Sequence, residues 1–571
     1  MSVDYDVCVV GSGAGAGPII YELSKAGYKV VVLEKGKYYK EKDFFKDEMT
    51  TSLRNIYTPD LREQQHVVEL PRGENGWKSK PTYNSGWDFW NGSLVGGSSN
   101  FMSGFFHRLK PVDFHQLSEF GSVEGANIVD WPISYNDLEP YYDKVEKVVG
   151  VSGRVVDHPH QEPRSSKDFP YPPTAEHPIA KHIDKACEKL GYHAIPMPRA
   201  IIPRAKKGRS ACSYSGYCGS YGCSTGAKGS SRAALIDQAM LTGNCEIRPE
   251  SMVSKIKSNQ QGKISAIEYY DINGQQHQVD ATIYVIACQA IETSRLLLNS
   301  TGVKHQKGLG NNTDQVGKNL LFAGGGAGSG RLTYDSFNQR EAQELHQFGT
   351  FINRSIQDWY VIDDKEFGAR QKGGTIDFVH LHPNPVSRAS RQINGKDGLL
   401  WGKTLKDKLH EHFTGGKYIK VEAFCDWTPT DNTFVSLDNK IKDKWGLPSA
   451  KVRIDVHLRN LQTGWYLASK SADVLNAMGA QNVVSFAAGA PPTNLVAGGC
   501  RFGNDPKTSV LDKNCRLHEV ENLYVTDGSF MPTGGSVPYT WTIYANSFRV
   551  ADIIKSKLNL NSPNESKKSA S

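Results

Sequence analysis

Three groups of residues in this chain have the types and spacing to do chemistry. The first is the run GSGAGAG at positions 11–17. Gly11 permits a tight turn after a strand, Gly13 lets backbone approach a pyrophosphate, and Ala16 stands at the third small position, where a helix packs on that strand. Glu34, beyond the helix, is placed to bind a ribose hydroxyl pair. An acid there repels a 2′-phosphate, which favours FAD or NAD over NADP. The second group is Cys212, Cys218 and Cys223, in the order C-x5-C-x4-C on a glycine- and serine-rich loop. Three thiolates suit a [3Fe-4S] cluster, or a [4Fe-4S] cluster whose fourth iron takes a non-cysteine ligand. Structural thiols, a disulfide and zinc are the other readings, and zinc lacks an evident fourth ligand. The third group is His380 and His382, two apart on a strand and so on one face with Ile376 and Phe378. There an imidazole serves either as a general base or as a half-buried structural residue.

These residues need elements to hold them. Residues 6–36 read as strand, glycine turn, helix and second strand ending on the acid, with unpaired N–H groups of the helix start facing the phosphates. Residues 37–86 lack clear periodicity and read as a covering segment, while the glycine- and serine-dense stretch from Gly92 to His107 suits backbone lying against a ligand. A helix is predicted from Asn136 or Asp137, with Asp137 as cap, and residues 151–180 read as a surface excursion. The apolar strand Ala281 to Ala287 returns the chain to the first sheet. Strands are predicted at Thr375 to His382 and Tyr418 to Trp427, a helix from about Thr463 to Met478, and a strand at Leu523 to Thr526. The tail from Asn559 has the composition of disorder.

The chain has 571 residues, enough for two large lobes. Its 67 Lys plus Arg against 60 Asp plus Glu give a net charge of only +7, without the basic blocks that mark a nucleic-acid binder. No run of 18 apolar residues predicts a transmembrane segment. The first strand follows the N-terminus closely, so the expectation is a cytoplasmic protein, or a periplasmic one if a partner carries it across. Seven scattered cysteines read as core or loop thiols.

The N-terminal fingerprint, the segment GGSSN at 96–100, the stretch ACQAIETSRLLLNSTG at 287–302, and the C-terminal RFGNDPKTSVLD with NLYVTDGSFMPTGG occur in order. Together they resemble the glucose-methanol-choline oxidoreductases, over residues 4 to 555. The resemblance implies an α/β fold: an FAD-binding Rossmann-like lobe from segments 1–324 and 481–558, including a cysteine loop at 208–232, and a substrate lobe at 325–480 with an antiparallel sheet over the flavin. It implies that Gly11, Gly13 and Glu34 hold the ADP half of FAD and that Val253 presents backbone to the adenine. Gly97, Ser98 and Asn100 would lie along the isoalloxazine, with Asp527 and Gly528 near the pyrophosphate and ribityl chain. Asparagine at position 100, where relatives attach flavin through a histidine, implies dissociable FAD.

The cysteine loop is similar to one in the bacterial sugar and polyol dehydrogenase branch, whose catalytic subunits carry a [3Fe-4S] cluster. Ser215 stands where some members have a further cysteine. That branch implies oxidation of a sugar, polyol or related alcohol, with electrons leaving through the cluster, a small partner subunit and a cytochrome-type acceptor. The chain departs from the family at the chemistry itself, because the usual base histidine is Leu495 and its usual partner is Pro538. Asn494, His380 and His382 are the replacement candidates. An oxygen-using oxidase and a flavin-binding lyase or silent homologue are the alternative functions.

Overall fold

The computed structural model describes residues 4–49, 54–73, 76–365, 367–487 and 495–561. Its first sheet is fully parallel. Five strands lie in the order Leu523–Val525, Ala281–Ile286, Tyr5–Val10, Val30–Leu33 and Cys245–Arg248. Val7 to Val10 and Val30 to Leu33 are buried at every position, as strands covered on both faces must be. One covering helix, Gly17–Lys25, has Pro18 in its first turn and buries Ile19, Ile20 and Leu23. It packs against the long C-terminal helix Thr540–Asn561, which in turn meets the helix Tyr135–Val145.

The second sheet is antiparallel, with six strands in the order Gln481–Ala487, Gly324–Thr333, Gly416–Cys425, Gly374–His380, Arg354–Ile356 and Ala194–Pro196. The helix Leu458–Ala477 covers one face, where Ile376, Phe378, Ile419 and Val421 join Leu467 and Leu475 in a buried apolar cluster. The helix comes unusually close to the glycine-rich strand beneath it. A Cβ on Gly326 would sit 2.4 Å from the Gly464 carbonyl oxygen, and one on Gly464 would sit 2.4 Å from that of Gly325.

Several expectations are corrected. The helix near Asp137 starts at Tyr135 and is capped by Ser134. Asp137 is its third residue and accepts from the Ser134 backbone N–H at 2.8 Å, a reciprocal capping box. The helix expected at Thr463 starts at Leu458, where His457 accepts from the Arg459 N–H. The covering segment at 37–86 contains a hairpin, Val67–Arg72 with Gly76–Pro81, whose first strand pairs parallel with Pro448–Arg453. The last helix runs on to Asn561, so residues 559–561 are helical and the rest of the expected tail lies outside the described residues.

The domain limits at 324/325 and 480/481 do not follow the sheets. Ala194–Pro196 and Gln481–Ala487 belong to the antiparallel sheet. Conversely, Phe434–Lys442 and Pro448–Arg453 pair together, and the second joins the 67–81 hairpin. Val435, Val452 and Ile454 lie in the same buried cluster as the parallel sheet. Strand pairing recruits distant segments, which contiguous boundaries cannot express. Among the described residues no helix is long and apolar enough to cross a membrane.

Candidate active site

One elongated cavity runs from the glycine turn, between the two sheets, to Leu495 and Pro538. Gly11 forms its tight corner with φ +87°, and its N–H donates to the Leu33 carbonyl at 2.8 Å. A Cβ there would lie 2.4 Å from the Ala287 carbonyl oxygen, so no other residue fits. Gly13 is the opposite case, because a Cβ would meet nothing within 4 Å. It opens onto the cavity facing Gly97, whose own Cβ would stand 3.1 Å from the Gly13 Cα. These bare backbones beside a helix start make a cradle that a pyrophosphate fits.

The close helix contact expected at Ala16 is made by its neighbours. A Cβ on Gly15 would lie 2.5 Å from the Thr526 carbonyl oxygen, and one on Gly17 would lie 2.4 Å from Ser231 Oγ. Ala16 itself is buried and precedes the helix. Glu34 lines the cavity with one carboxylate oxygen accepting from Ser12 Oγ at 2.5 Å and the other from the Gly36 N–H at 2.9 Å. The first oxygen also accepts from the Ser12 backbone N–H at 3.1 Å, which fills it, while the oxygen facing Gly36 keeps a lone pair for a ribose hydroxyl. Burial pushes this carboxyl up, with Ser12 and Gly36 opposing. Val253 lines the same end beside Ser251 and Met252.

Asp527 is buried, with Thr293 Oγ1 donating to it at 2.5 Å and the Ser529 N–H at 2.9 Å; burial pushes its carboxyl up. Gly528 lines the cavity next to it. Ser98 also lines it, but its hydroxyl is tied to the Trp90 carbonyl and the Gly92 N–H. Asn100 differs from expectation. Its amide donates to the Val95 and Gly97 carbonyls at 3.0 and 2.9 Å, so the side chain holds the loop from within and is not a cavity wall. Sequence reasoning missed Cys288 and Glu292, both cavity residues. Burial pushes the Cys288 thiol well up. Burial also raises the Glu292 carboxyl, but His66, 2.5 Å away, and Arg295 outweigh it and hold it well below the usual range.

At the far end the cavity is walled by Leu495, Pro538, Tyr539, Met102 and Phe424. Leu495 has φ +55°, a left-handed conformation unusual for a branched side chain, and its carbonyl accepts from the Tyr539 hydroxyl. Asn494 lies outside the described residues. The antiparallel sheet contributes one ionisable side chain here, Glu422, 2.6 Å from Lys420 Nζ.

His380 and His382 do not line this cavity. They line a second, outer cavity that shares Ser103, Phe105 and Glu422 with the first. His380 lies on the face that Ile376 and Phe378 bury under the helix Leu458–Ala477, with its ring edge-on to His177 at 4.7 Å. Burial, with His177, Lys417 and Arg199, holds its imidazole well below the ordinary value. His382 lies beyond the strand; burial and Lys420 lower its pKa, against Glu422.

Cys212, Cys218 and Cys223 all line one small cavity, and all are free thiols. Their sulfurs are not drawn together as a single-ion site. Among the described residues the only ligand group whose atoms all lie within 4.8 Å of one another is His158, His193 and Asp358. Burial pushes the Cys212 thiol up to about 12. For Cys223 burial is outweighed by Lys228 and Thr225, which hold the thiol below its ordinary value. Lys228 is buried and donates to the carbonyls of Asn100 at 3.2 Å and of Cys218 and Tyr221 at 2.8 Å. It joins the cysteine loop to the 97–101 loop of the main cavity. Cys218 also lines the outer cavity.

Residues 76–322 and 429–547 match the two parts of the GMC oxidoreductase family. The chain is 30% identical to 2-methyl-1,2-propanediol dehydrogenase of Mycolicibacterium austroafricanum, covering 96% of this chain and 95% of the relative. It is 26% identical to the fructose dehydrogenase large subunit of Gluconobacter japonicus, covering 97% and 98%. Among solved structures, a variant Aspergillus oryzae formate oxidase studied for FAD modification superposes with a TM-score of 0.63 at 15% identity, covering 97% of this chain and 98% of that one. It shares the fold.

Proposed function

The chain belongs to the GMC oxidoreductase family, FAD-dependent enzymes acting on CH–OH groups, and from that premise we propose a dehydrogenase oxidising a hydroxyl of a sugar, polyol or related alcohol. FAD, when bound along the cavity, would supply the hydride acceptor for alcohol oxidation, with the glycine turn, Glu34 and Asp527 to hold it. The protein's own tasks are to hold the alcohol at the Leu495 end and to take its hydroxyl proton. A base must lie within hydrogen-bond reach of that proton. Glu422 is the carboxylate at the junction of the two cavities, and we assign it the proton. His382, one step behind it, is held neutral and serves as the second candidate. His380 faces the wrong side of the sheet.

We further propose that Cys212, Cys218 and Cys223 hold a [3Fe-4S] cluster. The observation that carries this is their convergence on one cavity tied by Lys228 to the flavin-side loop, at a spacing too open for a single ion. Such a cluster passes single electrons, which suits a cytochrome-type acceptor and a small partner subunit. The name of the Gluconobacter relative, a large subunit, supports a multi-subunit enzyme. Localisation then follows the partner: cytoplasmic for the chain alone, periplasmic if the partner carries an export signal.

Anaerobic mixing of the FAD-loaded enzyme with a broad alcohol panel tests the first proposal; flavin that no alcohol bleaches would reject it in favour of a lyase or silent homologue. Rapid peroxide formation without another acceptor would favour an oxidase. Iron and sulfide analysis with EPR after anaerobic reconstitution tests the second, and absence of iron at stoichiometric FAD would remove it.

A further inference from the structure

The outer cavity carries more positive charge than the protein neutralises. Arg199, Arg388, Lys417 and Lys420 line it, and the single carboxylate among its walls is Glu422, already paired with Lys420. Among the described residues Arg388 and Lys417 have no acidic partner. Arg388 lies over the Phe413 ring, with its Nη2 3.3 Å from His412 Nε2 and its buried Nε without a hydrogen bond. Lys417 Nζ donates to the Gln347 carbonyl at 2.8 Å. Burial and the neighbouring Arg388 push its pKa down to about 8. Beside them neither ring nitrogen of His380 makes a hydrogen bond of normal geometry. Partly buried cations are costly unless something of opposite charge meets them. A guanidinium, an ammonium and a neutral imidazole lining one cavity are the donors an oxyanion takes.

The strand Gly416–Cys425 joins this cationic wall to the active site. Tyr418, Lys420, Glu422 and Phe424 alternate along it and share one face. Tyr418 and Lys420 line the outer cavity, Glu422 lines both, and Phe424 lines the flavin-side cavity. Lys417 leaves this strand on the other face, with Ile419 and its partner His380, yet it lines the same outer cavity; at about 3.4 Å per residue it lies roughly 17 Å along the strand from Glu422. Tyr217, Tyr334, Phe348, Phe351 and Phe413 provide aromatic walls for whatever lies along that path.

We propose that the substrate is an extended alcohol with a terminal oxyanion, its hydroxyl at Glu422 and its carboxylate or phosphate held by Arg388 and Lys417. This rests on the reading above that the chain oxidises an alcohol. It adds a site that selects for a negative charge far from the reacting carbon and against cationic alcohols.

The test compares matched alcohols by anaerobic flavin reduction in the FAD-loaded full chain: ω-hydroxydodecanoate and dodecanediol monophosphate against dodecanediol, cellobionate against cellobiose, and ω-aminododecanol as the cationic member. The expected result is a kcat/KM at least tenfold higher for the charged member of one pair or both, with ω-hydroxydodecanoate at least tenfold above ω-hydroxyhexanoate and the amine slowest. The carboxylate and phosphate arms identify the oxyanion. Combining Arg388→Gln with Lys417→Gln should cut the charged-to-neutral ratio at least tenfold, and Lys417→Arg should preserve it. The ratio is internal to each protein sample, so partial misfolding does not mimic the effect. Equal rates for charged and neutral partners, or a ratio unmoved by the double substitution, would overturn the anion site while leaving alcohol oxidation intact. If no alcohol reduces the flavin, the dehydrogenase reading fails, and titration with dodecanedioate decides the rest. A perturbed flavin spectrum that is lost in the double variant keeps the anion site, and no perturbation removes it.

Discussion

The two ends of the main cavity are built in different ways. At the nucleotide end the walls are backbone: Gly11 against Ala287, Gly13 facing Gly97, and two buried acids, Glu34 and Asp527, held by hydrogen bonds from their own surroundings. At the other end the walls are side chains from distant segments: Met102, Phe424, Leu495 and Pro538, with Glu422 as the polar group from the antiparallel sheet. A ligand common to a family is best met by backbone, whose shape survives most substitution. A substrate is met by side chains, which change freely, and here two of those walls, Leu495 and Pro538, carry no group that could take a proton.

The comparison can be broken at the nucleotide end first. Gly13→Val adds a side chain where a Cβ meets nothing, so the fold should remain while the space for the pyrophosphate is filled. Flavin content after purification should fall at least tenfold, with activity lost in proportion, and the melting temperature should match that of flavin-stripped native protein. Full flavin content in this variant would show that the cradle is misplaced. At the other end Glu422→Gln keeps shape and removes the proton acceptor, so anaerobic flavin reduction should slow by about 100-fold or more. FAD content should be unchanged, since Glu422 stands on the antiparallel sheet and the glycine turn follows a strand of the parallel one. His382→Ala should cost less than tenfold, and the reverse ranking would move the base to His382.

The same division explains what could be read from the sequence. The strand, turn, helix and acid of residues 6–36 are contiguous, and Gly11, Gly15 and Gly17 each sit where a Cβ would clash, so this part of the cavity was legible as a local motif. Its one misassignment, Ala16 for Gly15 and Gly17, arises because four glycines in seven positions offer more than one register to the fingerprint. The positions of Leu495 and Pro538 were also legible from flanking motifs, and both line the cavity. The histidines were not. Their two-residue spacing implies a shared face, but the strand ends at His380, on the face covered by the helix Leu458–Ala477, and His382 lies beyond it; both line the outer cavity. The hairpin Val67–Arg72 with Gly76–Pro81 was invisible for a related reason: its other partner, Pro448–Arg453, is remote in the chain.

The cysteine loop sharpens the contrast, since it touches the flavin-side loop through Lys228 without entering the cavity. Cys223→Ser should abolish the EPR signal of the reconstituted enzyme and slow electron transfer to a cytochrome-type acceptor at least tenfold. Flavin reduction by substrate should change less than threefold. Flavin reduction that fell equally would mean the thiols support the fold or the flavin, not electron exit.

The smallest expected effect is a pH dependence confined to the substrate end. In the free enzyme Lys417, crowded by Arg388 and acting in turn on His177 and His380, carries its charge below pH about 8 and loses it above. The value of kcat/KM reports groups of the free enzyme, so the preference for an anionic over a neutral alcohol should decline as pH rises through about 8. Because Arg388 stays charged, the decline should level off at a few-fold. Lys417→Gln should flatten the profile, while Lys417→Arg, whose guanidinium stays protonated, should extend the preference to higher pH. For stability the sign is the opposite: a lysine whose folded pKa lies below its unfolded value binds fewer protons when folded. It therefore destabilises the fold while charged, and that penalty shrinks as pH rises from about 8 toward about 10.4. A preference that grew with pH over this range would place the anion elsewhere than at Lys417.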